Sequence, residues 1–160
     1  MPMLPLDIIF LKKSDLLIFT KTNLIKPNDF LNKTIKSARK PYFLSTLEAE
    51  TPMSFQGEPL LIKKGTKAVA LSAIADTKGF ITTLKQLNIE IVDHHDFVDH
   101  YNYRQSDIER LAKHIKHLNV KIVITTEKDM IKLAPLDLLG IKIYSVEVSF
   151  CMGKKDVKNF

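Results

Sequence analysis

Two uninterrupted apolar runs, KAVALSAIA at 67–75 and VKIVITT at 120–126, most constrain what this chain can become. A strand with one wet face alternates apolar with polar residues, whereas a strand apolar at every position must be covered on both faces. Helices packed on a parallel sheet supply that cover, and helical patterns do stand between the strands. TKGFITTLKQLN sets Phe80, Ile81, Leu84 and Leu87 on one face, and SDIERLAKHIKHLN does the same with Ile108, Leu111, Ala112 and Ile115. Ser106, with Glu109 three residues on, predicts a capping box for that second helix. IEIVDHH reads as a strand, EKDMIKLAPLDLLG as a short helix plus turn, and IKIYSVEVSF as an alternating strand that closes the unit. The expected fold class is α/β, a mostly parallel sheet with helices on both faces.

The N-terminal third repeats the alternation on a smaller scale. DLLIFTK reads as a strand, and NDFLNKTIKSARK as a helix capped by Asn28 with Phe30, Leu31, Ile35 and Ala38 inward. PYFLSTLEAE returns to a strand. TPMSFQGEPLLIKKGT, with its prolines and glycines, predicts a boundary. The expected domains are therefore residues 1–50, residues 65–150, and a tail at 151–160.

The 24 Lys and Arg against 18 Asp and Glu leave a net charge of +6, and the only arginines are Arg39, Arg104 and Arg110. Lysine is a hydrated point charge and arginine the planar reader of bases and phosphates. The lysine surplus therefore points to an AT-rich genome or an anionic membrane surface, not to sequence-specific nucleic-acid binding. The single cysteine, Cys151, excludes an internal disulfide and fits a reducing cytoplasm. No apolar run approaches the roughly 20 residues that span a bilayer, and the N-terminus carries no signal-peptide pattern.

Three polar clusters fall at expected strand ends, where parallel sheets gather ligands: SAIADTKG, DHHDFVDH and TTEKD. His94, His95, Asp96, Asp99 and His100 are acceptable metal-ligand types. Neighbours on a regular strand point to opposite faces, however, so His94 and His95 cannot share one ion, and no metal is expected. The DHH triplet is also found in manganese phosphoesterases, but their separated aspartate motifs are missing. The Asp99–His100 pair is open to two readings, a proton acceptor oriented by a carboxylate or a solvated loop histidine. His114 and His117 read as surface residues of the helix. In TTEKD, Glu127 and Asp129 suit a helix's first turn, while Lys128 is electrostatically out of place there and calls for a partner or ligand. The chain holds no GxxxxGK[ST] and no GxSxG.

FVDHYNYRQSDIERL followed by VITTEKDMIKL resembles the C-terminal part of the tetraacyldisaccharide 4'-kinases, the lipid A 4'-kinases. Phe97, Asp99, His100 and Tyr103 match their F-P-D-H-x-x-[YF] pattern. Thr126, Glu127, Lys128, Asp129 and Lys132 match T-E-K-D-A-V-K. Ile74, Phe80, Thr83 and Leu84 match a third motif in which Ala73 and Ala75 replace glycines and Thr77 a proline; Val98 replaces the proline of the first.

The resemblance implies a small C-terminal α/β domain plus a remnant of a P-loop nucleotide domain, with the membrane-associated helix, P-loop and magnesium aspartates of the N-terminal half missing. It implies transfer of the ATP γ-phosphate to the 4'-hydroxyl of a lipid A disaccharide precursor, at the cytoplasmic face of the inner membrane, by a peripheral protein. His100 and Asp99 would be catalytic, with His100 assisting a base at the cleft between the two halves. Tyr103, Glu127, Lys128 and Asp129 would face substrate. ATP and Mg²⁺ would serve the full-length family, with neither expected to bind this chain tightly and the chain expected to be inactive alone. A non-catalytic domain that binds the lipid or membrane surface is the alternative, and an unrelated metal-dependent phosphoesterase ranks behind it. The remnant would expose apolar surface, and weak stability or self-association is expected of it.

Overall fold

The computed structural model of the protein describes residues 13–24, 33, 37 and 40–152. The chain divides into two compact units, residues 1–48 with 149–160 and residues 49–148. In the first, β1 (Leu17–Phe19) runs parallel to β2 (Tyr42–Ala49), and β8 (Val148–Met152) lies on the other side of β2. The Asn23 side chain donates to the Leu47 carbonyl at 2.7 Å and accepts from the Leu47 N–H at 2.9 Å, fixing the chain after β1 to β2. The helix expected over 28–40 lies almost wholly outside the described residues.

The second unit is built on a five-stranded sheet: β3 (Met53–Ser54), β4 (Lys67–Ser72), β5 (Glu90–Asp96), β6 (Ile122–Thr126) and β7 (Lys142–Val146). The order across it is β3-β7-β6-β4-β5, and only β3 runs antiparallel to its neighbour. The connecting helices are α1 (Thr77–Gln86), α2 (Gln105–His117) and α3 (Glu127–Leu133). The continuous apolar run of β4 divides between two cores. Ala68 and Ala70 meet Phe80, Leu84 and Ile89 on the α1 side, while Val69 and Leu71 meet Ile108, Leu111, Ile115, Met130 and Leu133 on the α2–α3 side. Each such leucine or isoleucine contributes about 1.5–3 kcal/mol by leaving water, so helices on both faces are what this strand's composition requires.

The proline- and glycine-rich stretch at 51–66 lies inside the second unit. It forms β3, its Leu60 N–H donates to the Pro52 carbonyl at 2.8 Å, and Leu60 itself is buried on the α1 side. Its glycines serve turns, Gly57 at φ 76° and Gly65 at φ 83°, and turn chemistry is a local property that says nothing of where cores divide. IKIYSVEVSF is likewise two strands, since the chain leaves β7 at Glu147 and enters β8, which carries Cys151 and Met152 out of the expected tail.

Two local departures from regular geometry aim the side chains at the strand ends. At the head of α1, Asp76 Oδ1 accepts the Gly79 N–H at 2.9 Å, and a Cβ on residue 79 would collide with that carboxylate. On β5, Ala68 pairs with Ile91 but Val69 pairs with Asp93, so Val92 is an extra residue in a bulge. The bulge resets the alternation: Asp93 and His95 follow Val69 and Leu71 toward α2, and His94 follows Ala70 toward α1.

Candidate functional site

The three polar clusters meet at the carboxyl ends of β4, β5 and β6, which are neighbours in the sheet. Phe97 N–H donates to the Ser72 carbonyl at 2.9 Å, and His100 N–H to the Ala73 carbonyl at 3.1 Å. These bonds carry the end of β5 across the end of β4. A turn closed by the Tyr101 N–H on the Val98 carbonyl at 3.0 Å then presents Asp99 and His100.

His100 has φ 61°. This is the left-handed region, which L side chains adopt at a cost and which is enriched at functional positions. Its side chain is 83% exposed, and Nε2 stands 3.7 Å from Asp99 Oδ2. That separation is too long for a hydrogen bond, so the pair attracts only when the imidazole is protonated. An exposed imidazole beside a carboxylate on a braced turn can take up a proton and keep the resulting cation in place.

Asp129, expected to face substrate, is inside instead, at 0% exposure. Its Oδ2 accepts from the Ala73 N–H and the Thr126 hydroxyl, both at 2.9 Å, and its Oδ1 accepts from Lys132 Nζ at 3.1 Å. Since the Ala73 carbonyl receives the His100 N–H, one residue links the buried carboxylate to the backbone of the exposed histidine. Tyr103 is also inside, 7% exposed, against Phe97 and Tyr101 with ring centroids 5.2 and 5.6 Å away. Burial and the nearby Asp129 carboxylate push its phenol well above the usual range. Its hydroxyl has no hydrogen bond of ordinary geometry among the described residues. Both residues build the rim from beneath. A side chain without solvent access cannot touch a substrate that arrives from solvent. Glu127 and Lys128 are exposed at the start of α3 on the same rim.

The cap of α2 also differs from expectation. Helix α2 begins at Gln105, and its capping acid is Asp107, whose Oδ2 accepts the Arg104 N–H at 2.8 Å and the Tyr101 hydroxyl at 3.1 Å. Arg110 pairs with the other oxygen. Burial raises the Asp107 pKa, but the Arg104, Arg110 and Tyr101 hydrogen bonds together outweigh it and leave it lowered.

His94 and His95 do point apart, as strand geometry requires. His94 Nε2 lies 2.8 Å from the Ser72 hydroxyl. His114 is not a free surface residue: its Nε2 is 2.6 Å from Asp93 Oδ2, and its ring centroid is 5.0 Å from that of His95. Burial lowers the pKa of both strand histidines, and His114 lowers that of His95 further. The unfolded chain therefore takes up protons below the ordinary 6.5 that the folded rings refuse, and stability falls as pH drops through that value. Asp107 and Asp93, both lowered, add stability that is present above 3.8 and lost as pH falls below it. The melting temperature is expected to be flat above about pH 7 and to fall in two stages on acidification. His94→Gln with His95→Gln should remove the first stage, as thermal melts across pH will show; a first stage that persists would assign it to other groups.

A sequence profile of the family described as tetraacyldisaccharide-1-P 4'-kinase matches residues 7–160. Among curated relatives, each named tetraacyldisaccharide 4'-kinase, that of Rickettsia typhi is 37% identical over 98 residues, 61% of this chain and 29% of its own length. That of Desulfatibacillum aliphaticivorans is 35% identical over 86 residues, 54% of this chain and 23% of its own. That of Geobacter metallireducens is 29% identical over 150 residues, 92% of this chain and 43% of its own. The chain thus spans less than half the length of these relatives. A crystal structure of LpxK from Aquifex aeolicus, an "apo" form in complex with ATP, matches with a TM-score of 0.48 and 20% identity, covering 88% of this chain and 48% of that one.

Proposed function

The chain belongs to the tetraacyldisaccharide-1-P 4'-kinase family, and from that premise we propose that it supplies the acceptor side of a lipid A 4'-kinase. In this reading a phosphoryl group passes from ATP to the 4'-hydroxyl of a tetraacyldisaccharide 1-phosphate. Phosphoryl transfer depends on positioning and charge stabilisation, and the attacking hydroxyl must give up its proton. His100 takes that proton, or assists the group that does, and Asp99 holds the imidazolium that forms. Lys128 meets an anionic group of the substrate, and Glu127 accepts from a sugar hydroxyl. The reaction is placed at the cytoplasmic face of the inner membrane, where a peripheral protein meets this lipid.

The observation that carries this reading is His100 itself, exposed, left-handed and braced through Ala73 at the junction of three strand ends.

The described residues do not fit a nucleotide's phosphates. The first turn of α1 is occupied by its own Asp76 carboxylate, and Asp129 has its oxygens engaged by Ala73, Thr126 and Lys132. ATP and Mg²⁺ are therefore not assigned to the described residues, and no step is derived through them.

The test joins the chain in frame behind the N-terminal portion of the Rickettsia typhi kinase and follows label from radioactive ATP into the lipid. Turnover is expected from the joined protein and none from the 160 residues alone. Turnover by the chain alone would overturn the division of labour.

A non-catalytic surface-binding role is favoured by one feature: Val98, beside the His100 turn, and Ile131, on α3, are both largely exposed. Salt-sensitive binding to anionic vesicles, with a joined protein that never turns over, would select it.

A further inference from the structure

Asp93, His95 and His114 bring three ligand atoms within 4.8 Å of one another, and we propose that they form a binding site for one divalent transition-metal ion of the zinc class. The site stands apart from the kinase reading, because none of the three residues belongs to the proposed catalytic set.

The geometry is set by two elements. The bulge at Val92 turns Asp93 and His95 toward α2, and α2 brings His114 to meet them. Asp93 Oδ1 is held by the His94 N–H at 2.8 Å, which aims Oδ2 at the histidines. From Oδ2 the distance is 2.6 Å to His114 Nε2 and 4.0 Å to His95 Nε2. A tetrahedral ion with bonds of about 2.0 Å holds its ligand atoms about 3.3 Å apart, midway between these values. The two imidazole nitrogens lie within 4.8 Å of each other, so small side-chain adjustments would complete the set.

His95 Nε2 is buried and has no hydrogen-bond partner among the described residues. A buried polar nitrogen left in that state is costly, and coordination would satisfy it. The side chains of Asp93, His95 and His114 retain 44%, 25% and 36% exposure, so an ion can enter. The nearby cation, Arg110, has its charge offset by Asp107.

The donor set determines the class of ion. Two imidazoles and one carboxylate suit zinc, cobalt, nickel or iron, whereas magnesium and calcium require oxygen ligands throughout. Three protein ligands leave a coordination position for water or an added ligand. An ion here would fasten the end of β5 to α2. The segment joining those two elements, residues 97–104, carries His100, so the ion would close the base of that loop.

The test titrates tag-free, chelator-treated protein with Co²⁺ and follows the visible absorption of the bound ion, then displaces it with Zn²⁺. One ion per chain is expected, displaced by Zn²⁺ and not by excess Mg²⁺. The melting temperature should rise with Zn²⁺ because the ion binds only the folded form. Asp93→Asn, nearly isosteric, and His114→Ala should each weaken binding by more than about tenfold, since loss of even an outer partner costs that much. His117→Ala, on the exposed side of α2, should bind as the parent does. The titration of unaltered protein decides the first point without any variant. Absence of saturable one-to-one binding would overturn the proposal, as would parental affinity in Asp93→Asn or His114→Ala.

Discussion

Replacing His100 by glycine in the joined kinase is expected to lower kcat by about 10²–10⁴-fold, the usual contribution of a positioned acid–base group, with a much smaller change in KM for the lipid. Glycine is the informative choice because residue 100 sits at φ 61°, where glycine is unstrained and other residues are not. The backbone turn and its bond to Ala73 therefore persist while the imidazole is removed. His100→Ala should lose the same activity yet remain less stable than His100→Gly by about 1 kcal/mol or more, because alanine keeps the unfavourable left-handed conformation. The two variants separate chemistry from architecture: equal kcat with unequal melting temperature assigns the loss to the side chain. Asp99→Asn should cost less, since its carboxylate lies 3.7 Å from the ring and acts on the cation after proton transfer. If His100→Gly turns over within about twofold of the parent, far below the effect of a proton acceptor, the base role is wrong and His100 is only a turn residue.

Replacing Asp129 by alanine is expected to destabilise the second unit by about 3–5 kcal/mol, the cost of removing one partner from a buried charge pair. Alanine would strand the Ala73 N–H, the Thr126 hydroxyl and the Lys132 ammonium together. For a unit of about 100 residues, that corresponds to a fall in Tm of at least about 12 °C. Urea unfolding should show the midpoint shifted with an unchanged m-value if the fold survives. Asp129→Asn should be milder, because an amide oxygen can still accept from Ala73 while its NH₂ faces a donor. Adding Lys132→Met should recover part of that loss by removing the opposed cation. In the joined kinase, Asp129→Asn should lower kcat more than lipid affinity, since Ala73 connects this carboxylate to His100. A loss below about 1 kcal/mol for Asp129→Ala, no more than one ordinary hydrogen bond, would mean that the network is not what holds the rim.

The parallel sheet and its helices were legible because their signal is a period along the chain. An apolar residue at every position of 68–71 demands cover on both faces, and Phe80, Leu84, Ile108, Leu111 and Ile115 recur at the spacing that provides it. The convergence of three polar clusters was legible for the same reason, since strand ends in a parallel sheet are neighbours. The domain boundary was not. Prolines and glycines at 51–66 report local turns, while the division between units depends on which strands pair, and β3 pairs with β7 from the far end of the unit, Met53 opposite Ser145.

Sequence by itself determined the fold class, the faces that would be buried, and His100 with Asp99 as the exposed pair at the strand ends. Tertiary structure alone decided the rest. TTEKD does not reveal that Asp129 turns inward to Ala73 while Glu127 and Lys128 turn outward, because that depends on where β4 ends beside α3. Nor does DHH reveal that one extra residue at Val92 aims Asp93 and His95 at α2, where His114 completes the cluster. The physical reason is the same in each case. Periodicity is a property of one segment, but a hydrogen bond between residues 73 and 129, or a ligand set spanning 93 and 114, exists only once separate segments have packed.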